Sequence, residues 1–381
     1  MYTKIEMKNI VFLALFFAVS FHVKSQTLQS INHNGVNRVY FYYTPSDYSP
    51  SQSLPLLIVL HGLTQTGGGV MDITSFNAIA EQEKFIVVYP SGLNNAWNAN
   101  MNVSVSTADD KGFLEALIGH FQQNFNTNPS KQYLCGFSNG AFMSHKMACE
   151  SDLCFAGIAT ISGTMSDSIY ANCNPSKATS VLHIHGTADA VVPYNGGAAT
   201  GASVDQTIEK WRSFLGCSTN PTTSDFQNTN LFDLSTAQRI TYSNCGEQTL
   251  EHIKVIGGGH QWPGISTWNG GVGTINMDFY SPEIIWDFLA PKTCQSLGYL
   301  EEEIAFEVYP NPAGLEFTIK SFVGIDKVLI QELTGKKVVE KQLFAKLETI
   351  DISGLHPGLY LVSVYGLQGK QVGKTKSWIK I

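Results

Sequence analysis

The sequence predicts a mostly parallel α/β sheet with helices on both faces, followed by a small all-β sandwich, and three observations carry that expectation. Short apolar runs alternate with amphipathic stretches at helical spacing between residues 26 and 296. Near residue 300 the pattern changes to short alternating runs punctuated by glycine. The chain has 381 residues, 43% of them hydrophobic and 14% charged, enough for one large core and one small one and without a long polar tract. A formal net charge of −7 argues against nucleic-acid binding through bulk electrostatics.

Lys4 and Lys8 precede the apolar run Ile10-Val11-Phe12-Leu13-Ala14-Leu15-Phe16-Phe17-Ala18-Val19, and Val23-Lys24-Ser25 follows it. A basic start, a short apolar core and a small residue describe a signal peptide over residues 1–25. The run is too short to span a bilayer comfortably, and no later stretch is longer. The mature protein is therefore expected to be secreted, with no membrane span. Residues 54–60 and 85–89 read as buried strands, ending at His61-Gly62 and Pro90. Residues 110–125 place Phe113, Leu114, Leu117, Ile118 and Phe121 on one helical face. Further strands are expected at 132–135, 156–161, 181–185 and 250–256, with a helix at 204–214. Seven cysteines fit an oxidising compartment, and the odd number leaves at least one without an intrachain partner. The expected layout is an α/β domain over 26–296, a linker over 297–304 and an Ig-like β-sandwich over 305–381. In that tail Leu315, Phe317 and Ile319 alternate with polar neighbours. From Glu301 onward ten Lys balance ten Asp and Glu, so the acidity lies in the residues before it.

The reactive groups are expected at strand ends. Gly136-Phe137-Ser138-Asn139-Gly140 follows a strand and precedes a helical run, the setting of a nucleophile elbow that exposes the Ser138 hydroxyl. A serine needs a base and an orienting carboxylate. Asp189 and His260 lie just past strand ends, and the order Ser138, Asp189, His260 is that of the α/β-hydrolases. Three glycines before His260 are read as a slim, mobile loop. The oxyanion donors are expected from the backbone of Asn139 and of Leu63, with Thr64 second to Leu63. Trp97, Trp262 and Tyr194 are candidates for a substrate pocket. Gly67-Gly68-Gly69 lacks the Lys and Ser/Thr of a phosphate loop. His183 and His185 share one strand face with Asp189 nearby, a weak metal signal that is set aside, and no Cys-x-x-Cys spacing occurs.

Six motifs then carry a resemblance. His61-Gly62-Leu63-Thr64-Gln65-Thr66, Tyr89-Pro90-Ser91-Gly92, Asp109-Asp110-Lys111-Gly112-Phe113, Gly136-Phe137-Ser138-Asn139-Gly140, His185-Gly186-Thr187-Ala188-Asp189 and Gly259-His260-Gln261-Trp262-Pro263-Gly264 occur in that order. Over about residues 30–290 the chain resembles the polyhydroxybutyrate depolymerase-like esterases, a group overlapping the feruloyl and acetylxylan esterases. The resemblance implies an α/β-hydrolase fold, the Ser138–Asp189–His260 triad, no cofactor, and a Cys217–Cys245 bond. Ala141 departs from it, since many members carry a second glycine there. The tail resembles the C-terminal sorting domain of type IX secretion substrates, through Val308-Tyr309-Pro310-Asn311-Pro312-Ala313, Leu355-His356-Pro357-Gly358-Leu359-Tyr360 and the closing Lys374, Lys376 and Lys380. That implies the type IX machinery as a partner and removal of the tail after export. The rival reading is a carbohydrate-binding sandwich using Tyr309, Tyr360, Tyr365 and Trp378. The expected activity is hydrolysis of cell-wall feruloyl or acetyl esters, or of hydroxyalkanoate polyesters. The alternatives are a serine peptidase of the same fold and an inactive surface-binding protein.

Overall fold

The computed structural model describes residues 26–267, 270–294, 306–321, 326–343, 347–365 and 371–381. The expected signal peptide and linker lie outside the described residues. The chain divides into two compact units, Met1–Gln295 and Ser296–Ile381.

In the larger unit ten strands form one sheet: β1 (Thr27–His33), β2 (Val36–Tyr43), β3 (Leu56–Leu60), β4 (Ile86–Pro90), β5 (Gln132–Phe137), β6 (Gly157–Ile161), β7 (Ser180–Gly186), β8 (Thr222–Asp225), β9 (Thr236–Tyr242) and β10 (Leu250–Ile256). Their order is β1-β2-β4-β3-β5-β6-β7-β10-β9-β8. The central strands β4, β3, β5, β6, β7 and β10 are parallel. β1, β2, β8 and β9 close the edges with antiparallel pairing. β3 to β7 are buried at every residue, as parallel strands covered on both faces must be.

Alternation along β3 sorts the core. Leu56, Ile58 and Leu60 join the apolar cluster under α3 (Asp110–Phe125), α4 (Asn139–Glu150) and α6 (Val204–Leu215). Leu57 and Val59 join the opposite cluster, under α1 (Gly67–Thr74), α2 (Phe76–Glu83) and α7 (Ser281–Leu289). A short α5 (Asp167–Asn172) completes the helices. Gly67 opens α1 because a Cβ there would lie 2.1 Å from the Tyr89 carbonyl oxygen, so the glycines at 67–69 begin a packed helix. Among the described residues no helix is long and apolar enough to cross a membrane.

Three disulfides join Cys149–Cys173, Cys154–Cys294 and Cys217–Cys245, and Cys135 is buried and unpaired. The smaller unit holds two antiparallel sheets. One is β11 (Phe306–Tyr309), β12 (Glu316–Ser321) and β15 (Leu347–Asp351). The other orders β14 (Lys337–Gln342), β13 (Lys327–Glu332), β16 (Gly358–Tyr365) and β17 (Gln371–Lys380). Both contribute to one apolar cluster, in which Trp378 is fully buried 4.8 Å from the Phe317 ring. Tyr360 is buried there too, so two of the four aromatics considered for carbohydrate binding are core side chains instead.

Candidate active site

The end of β5 turns sharply into α4. Ser138, between them, has φ 52° and ψ −120°, a left-handed conformation that a residue with a Cβ adopts only where its surroundings enforce it. Its backbone N–H donates to Ile161 O at 2.8 Å, tying the turn to β6. A Cβ on Gly136 would lie 2.2 Å from Gly140 O, and one on Gly140 would lie 2.4 Å from Leu60 O. Those two glycines are therefore a steric requirement of the turn. The methyl of Ala141 is accommodated because Gly163 faces it; a Cβ on Gly163 would come within 2.7 Å of that methyl.

Asp189 lies in the turn after β7, with its side chain fully buried. Its Oδ1 accepts from the backbone N–H of Val191 at 2.8 Å and of Val192 at 2.7 Å. Its Oδ2 lies 2.8 Å from His260 Nδ1. The His260 ring leans on Phe137, the residue before Ser138, with centroids 4.8 Å apart. The His260 loop is pinned rather than mobile, contrary to the reading of its glycines. Gly259 N–H donates to Thr274 O at 2.9 Å, and His260 exchanges backbone bonds with Val272 at 2.7 and 3.1 Å. The glycines serve close approach: a Cβ on Gly259 would lie 2.3 Å from Val272 O.

Asn139 is the first residue of α4, so its backbone N–H has no acceptor within the helix and joins the positive end of the helix dipole. Its side chain turns away, accepting from Trp97 N at 2.7 Å and donating to Trp97 O at 3.1 Å. On the facing loop, Thr64 N–H donates to Asn95 O at 2.8 Å, which removes Thr64 as an oxyanion donor. Leu63, beside it, is exposed. The loop is fastened by His61, whose Nδ1 donates to Gly62 O at 2.7 Å while Nε2 accepts from Gly92 N at 2.9 Å. Burial pushes the His61 imidazole down to about 4, which keeps this donor–acceptor pattern neutral.

The aromatic pocket expectation is corrected. Trp97 and Trp262 are fully buried, because Trp97 Nε1 donates to His61 O and Trp262 stacks on Phe137. Tyr194 is also buried, its hydroxyl between His252 and Asp205. Val191, two residues past Asp189, and Val272, paired with His260, are exposed apolar side chains.

Sequence reasoning missed the supports behind these loops. Arg38 on β2 is buried over the Phe113 ring and bonds Asp110 Oδ1 at 2.5 Å. Asp110 Oδ2 accepts from Asn98 N at 2.7 Å, and Lys146 Nζ donates to Asn98 O at 2.8 Å. Asp110 belongs to one of the quoted motifs, whereas Arg38 carries no local signal. His183 and His185 bond each other and protein groups, and among the described residues no group of His, Cys, Asp or Glu is arranged to hold a metal ion.

Residues 48–213 match the phospholipase/carboxylesterase family model, and residues 307–379 match that of the secretion system C-terminal sorting domain. The chain is similar to a bifunctional acetylxylan esterase/xylanase of Neocallimastix patriciarum, 24% identical over 61% of this chain and 34% of that protein. It is also similar to feruloyl esterase C of Emericella nidulans, 28% identical over 43% of this chain and 61% of that one. The chain thus spans less than two thirds of either relative. The solved acetyl xylan esterase from Aspergillus awamori shares the fold, with a TM-score of 0.51 at 17% identity over 69% of this chain and 99% of that one. The larger unit has the α/β-hydrolase fold, and the sorting-domain match falls in the smaller unit.

Proposed function

We propose that this chain is a secreted serine carboxylic-ester hydrolase. The observation that carries the reading is the 2.8 Å contact of His260 Nδ1 with buried Asp189, the His260 ring packing on Phe137, which immediately precedes the serine of a strained strand-to-helix turn. With Nδ1–H donated to the carboxylate, Nε2 is left as the base. It takes the Ser138 proton as Oγ attacks the ester carbonyl, and the Asn139 and Leu63 N–H groups hold the oxyanion. Collapse returns the proton to the leaving alcohol and leaves an acyl-enzyme. Water, deprotonated by His260, then releases the acid and regenerates Ser138. No cofactor takes part.

The substrates are feruloyl or acetyl esters of plant cell-wall polysaccharide, a choice supported by the names of the relatives, with hydroxyalkanoate polyesters the second class. The sorting domain supports export by the type IX route to the cell surface or beyond, after removal of residues 1–25. The test is hydrolysis of p-nitrophenyl acetate by the purified chain, followed by a panel of methyl ferulate, acetylated xylan and hydroxybutyrate oligomers. Wild type releases nitrophenol and Ser138→Ala does not. A folded wild type inert toward every ester would sink the reading.

A further inference from the structure

We propose that His185 is a positioning residue for the triad, fixing the Asp189 turn through a one-way chain of hydrogen bonds that starts at Thr160. The proposal rests on the esterase reading, because only a catalytic Asp189 gives that turn a reacting partner to aim at. His185 Nε2 lies 2.8 Å from Val192 O and 3.5 Å from Asp189 Oδ2, the oxygen that receives His260. A carbonyl oxygen only accepts, so Nε2 carries the hydrogen and Nδ1 of the neutral ring carries a lone pair. That Nδ1 is 3.3 Å from His183 Nε2, which must be the donor. His183 Nδ1 then accepts from the Thr160 hydroxyl at 2.8 Å. Every bond from Thr160 through His183 and His185 to Val192 thereby has one direction, and no tautomer is free to change alone. Burial holds both imidazoles neutral, which the chain requires.

The consequence falls on Val192, whose backbone is held on both sides. Its N–H holds Asp189 Oδ1 and its C=O is held by His185. The same Nε2–H edge faces Asp189 Oδ2 and favours the ionised carboxylate toward His260. A side chain that merely filled the space would do neither.

The test uses the full secreted chain and three variants. His185→Gln keeps an N–H donor near the place of Nε2. His185→Asn keeps a polar atom near Nδ1 and leaves Val192 O unbonded, and His185→Leu removes both. With p-nitrophenyl acetate, kcat falls about 10- to 100-fold in the Asn and Leu variants at nearly constant KM, while Gln retains most of it. Equal kcat in the Gln and Asn variants, or wild-type kcat in a folded Leu variant, overturns the proposal. Should the Leu variant not fold, the Gln–Asn comparison decides. Imidazole ¹⁵N–¹H spectra of the wild type read the tautomers without any activity, and Nε2–H is expected on both His183 and His185. An Nδ1–H tautomer on His185 overturns the chain of bonds even in an active esterase. An inert wild type with both Nε2–H signals removes the catalytic role through failure of the esterase reading, and leaves the bond chain standing.

Discussion

The side-chain amide of Asn139 grips the backbone of Trp97 at both ends, accepting from its N–H at 2.7 Å and donating to its C=O at 3.1 Å. One residue thus offers its own N–H at the head of α4 and fastens the loop that Trp97 anchors beneath His61. Asn139→Ala keeps the backbone donor but leaves the buried Trp97 N–H unpaired, at about 1–3 kcal/mol, while the Trp97 C=O keeps its bond from the Ala99 N–H. The expected result is a lowered melting temperature together with a lower kcat for p-nitrophenyl acetate. An unchanged melt would show that the grip contributes nothing.

Arg38 and Asp110 form a pair with both side chains almost wholly buried, 72 residues apart in the chain. Arg38→Met strands the carboxylate, and breaking such a pair costs about 3–5 kcal/mol. Arg38→Met with Asp110→Leu should recover part of that loss, since neither charge is then left alone. Urea unfolding of the three proteins measures it, and a double variant no better than the single one counts against the charge argument.

Five buried imidazoles make the fold sensitive to acid. Burial lowers His61 to about 4 and His145 and His252 to about 3, and it lowers His183 and His185 as well. Unfolded, each titrates near about 6.5. Above that value native and unfolded chains bind the same protons at these sites, so the stability is fully present. As the pH falls below it, only the unfolded chain takes up protons; His61, His145 and His252 each cost about 2 kcal/mol by about pH 5, and His183 and His185 act in the same direction. The melting temperature should be flat from about pH 7 to 8 and fall steeply below about pH 6. A melt independent of pH across that window refutes the neutral assignment.

Two glycine substitutions should move stability in opposite directions. Gly136→Ala drives a methyl to 2.2 Å from Gly140 O at the elbow and destabilises by about 1–3 kcal/mol or more. Gly119, inside α3, has nothing within 4 Å of a built Cβ, so Gly119→Ala stabilises by about 0.5–1 kcal/mol. Denaturant midpoints of both variants check the pair.

The sequence pattern located the central strands and α3 because each is a dense apolar segment buried from end to end or along one face. β10 spans Leu250–Ile256 and α3 spans Asp110–Phe125, the ranges expected. The edge strands carry no such mark: β8 is Thr-Thr-Ser-Asp, exposed at all four residues. Gly67 hid the start of α1, since its reason is a carbonyl in another strand. At the site, Asp189 and His260 stood out as polar residues at strand ends, and the structure brings them together. The fasteners Arg38 and Asn139 act through geometry that no local spacing encodes. Asn139 and Arg38 reach partners 42 and 72 residues away. The Cys149–Cys173 and Cys154–Cys294 pairings were illegible for the same reason.

The Cys154–Cys294 bridge links residues 140 apart, and Cys294 N–H also donates to Ser130 O. A protease cutting just beyond residue 294 would therefore create a terminus that is already moored to the larger unit. Fraying from the cut, the usual start of exopeptidase digestion, would have to stop at a covalent knot two residues past the Lys292 carbonyl that holds the Tyr133 hydroxyl. Loss of the tail would then leave a sealed end rather than a loose one.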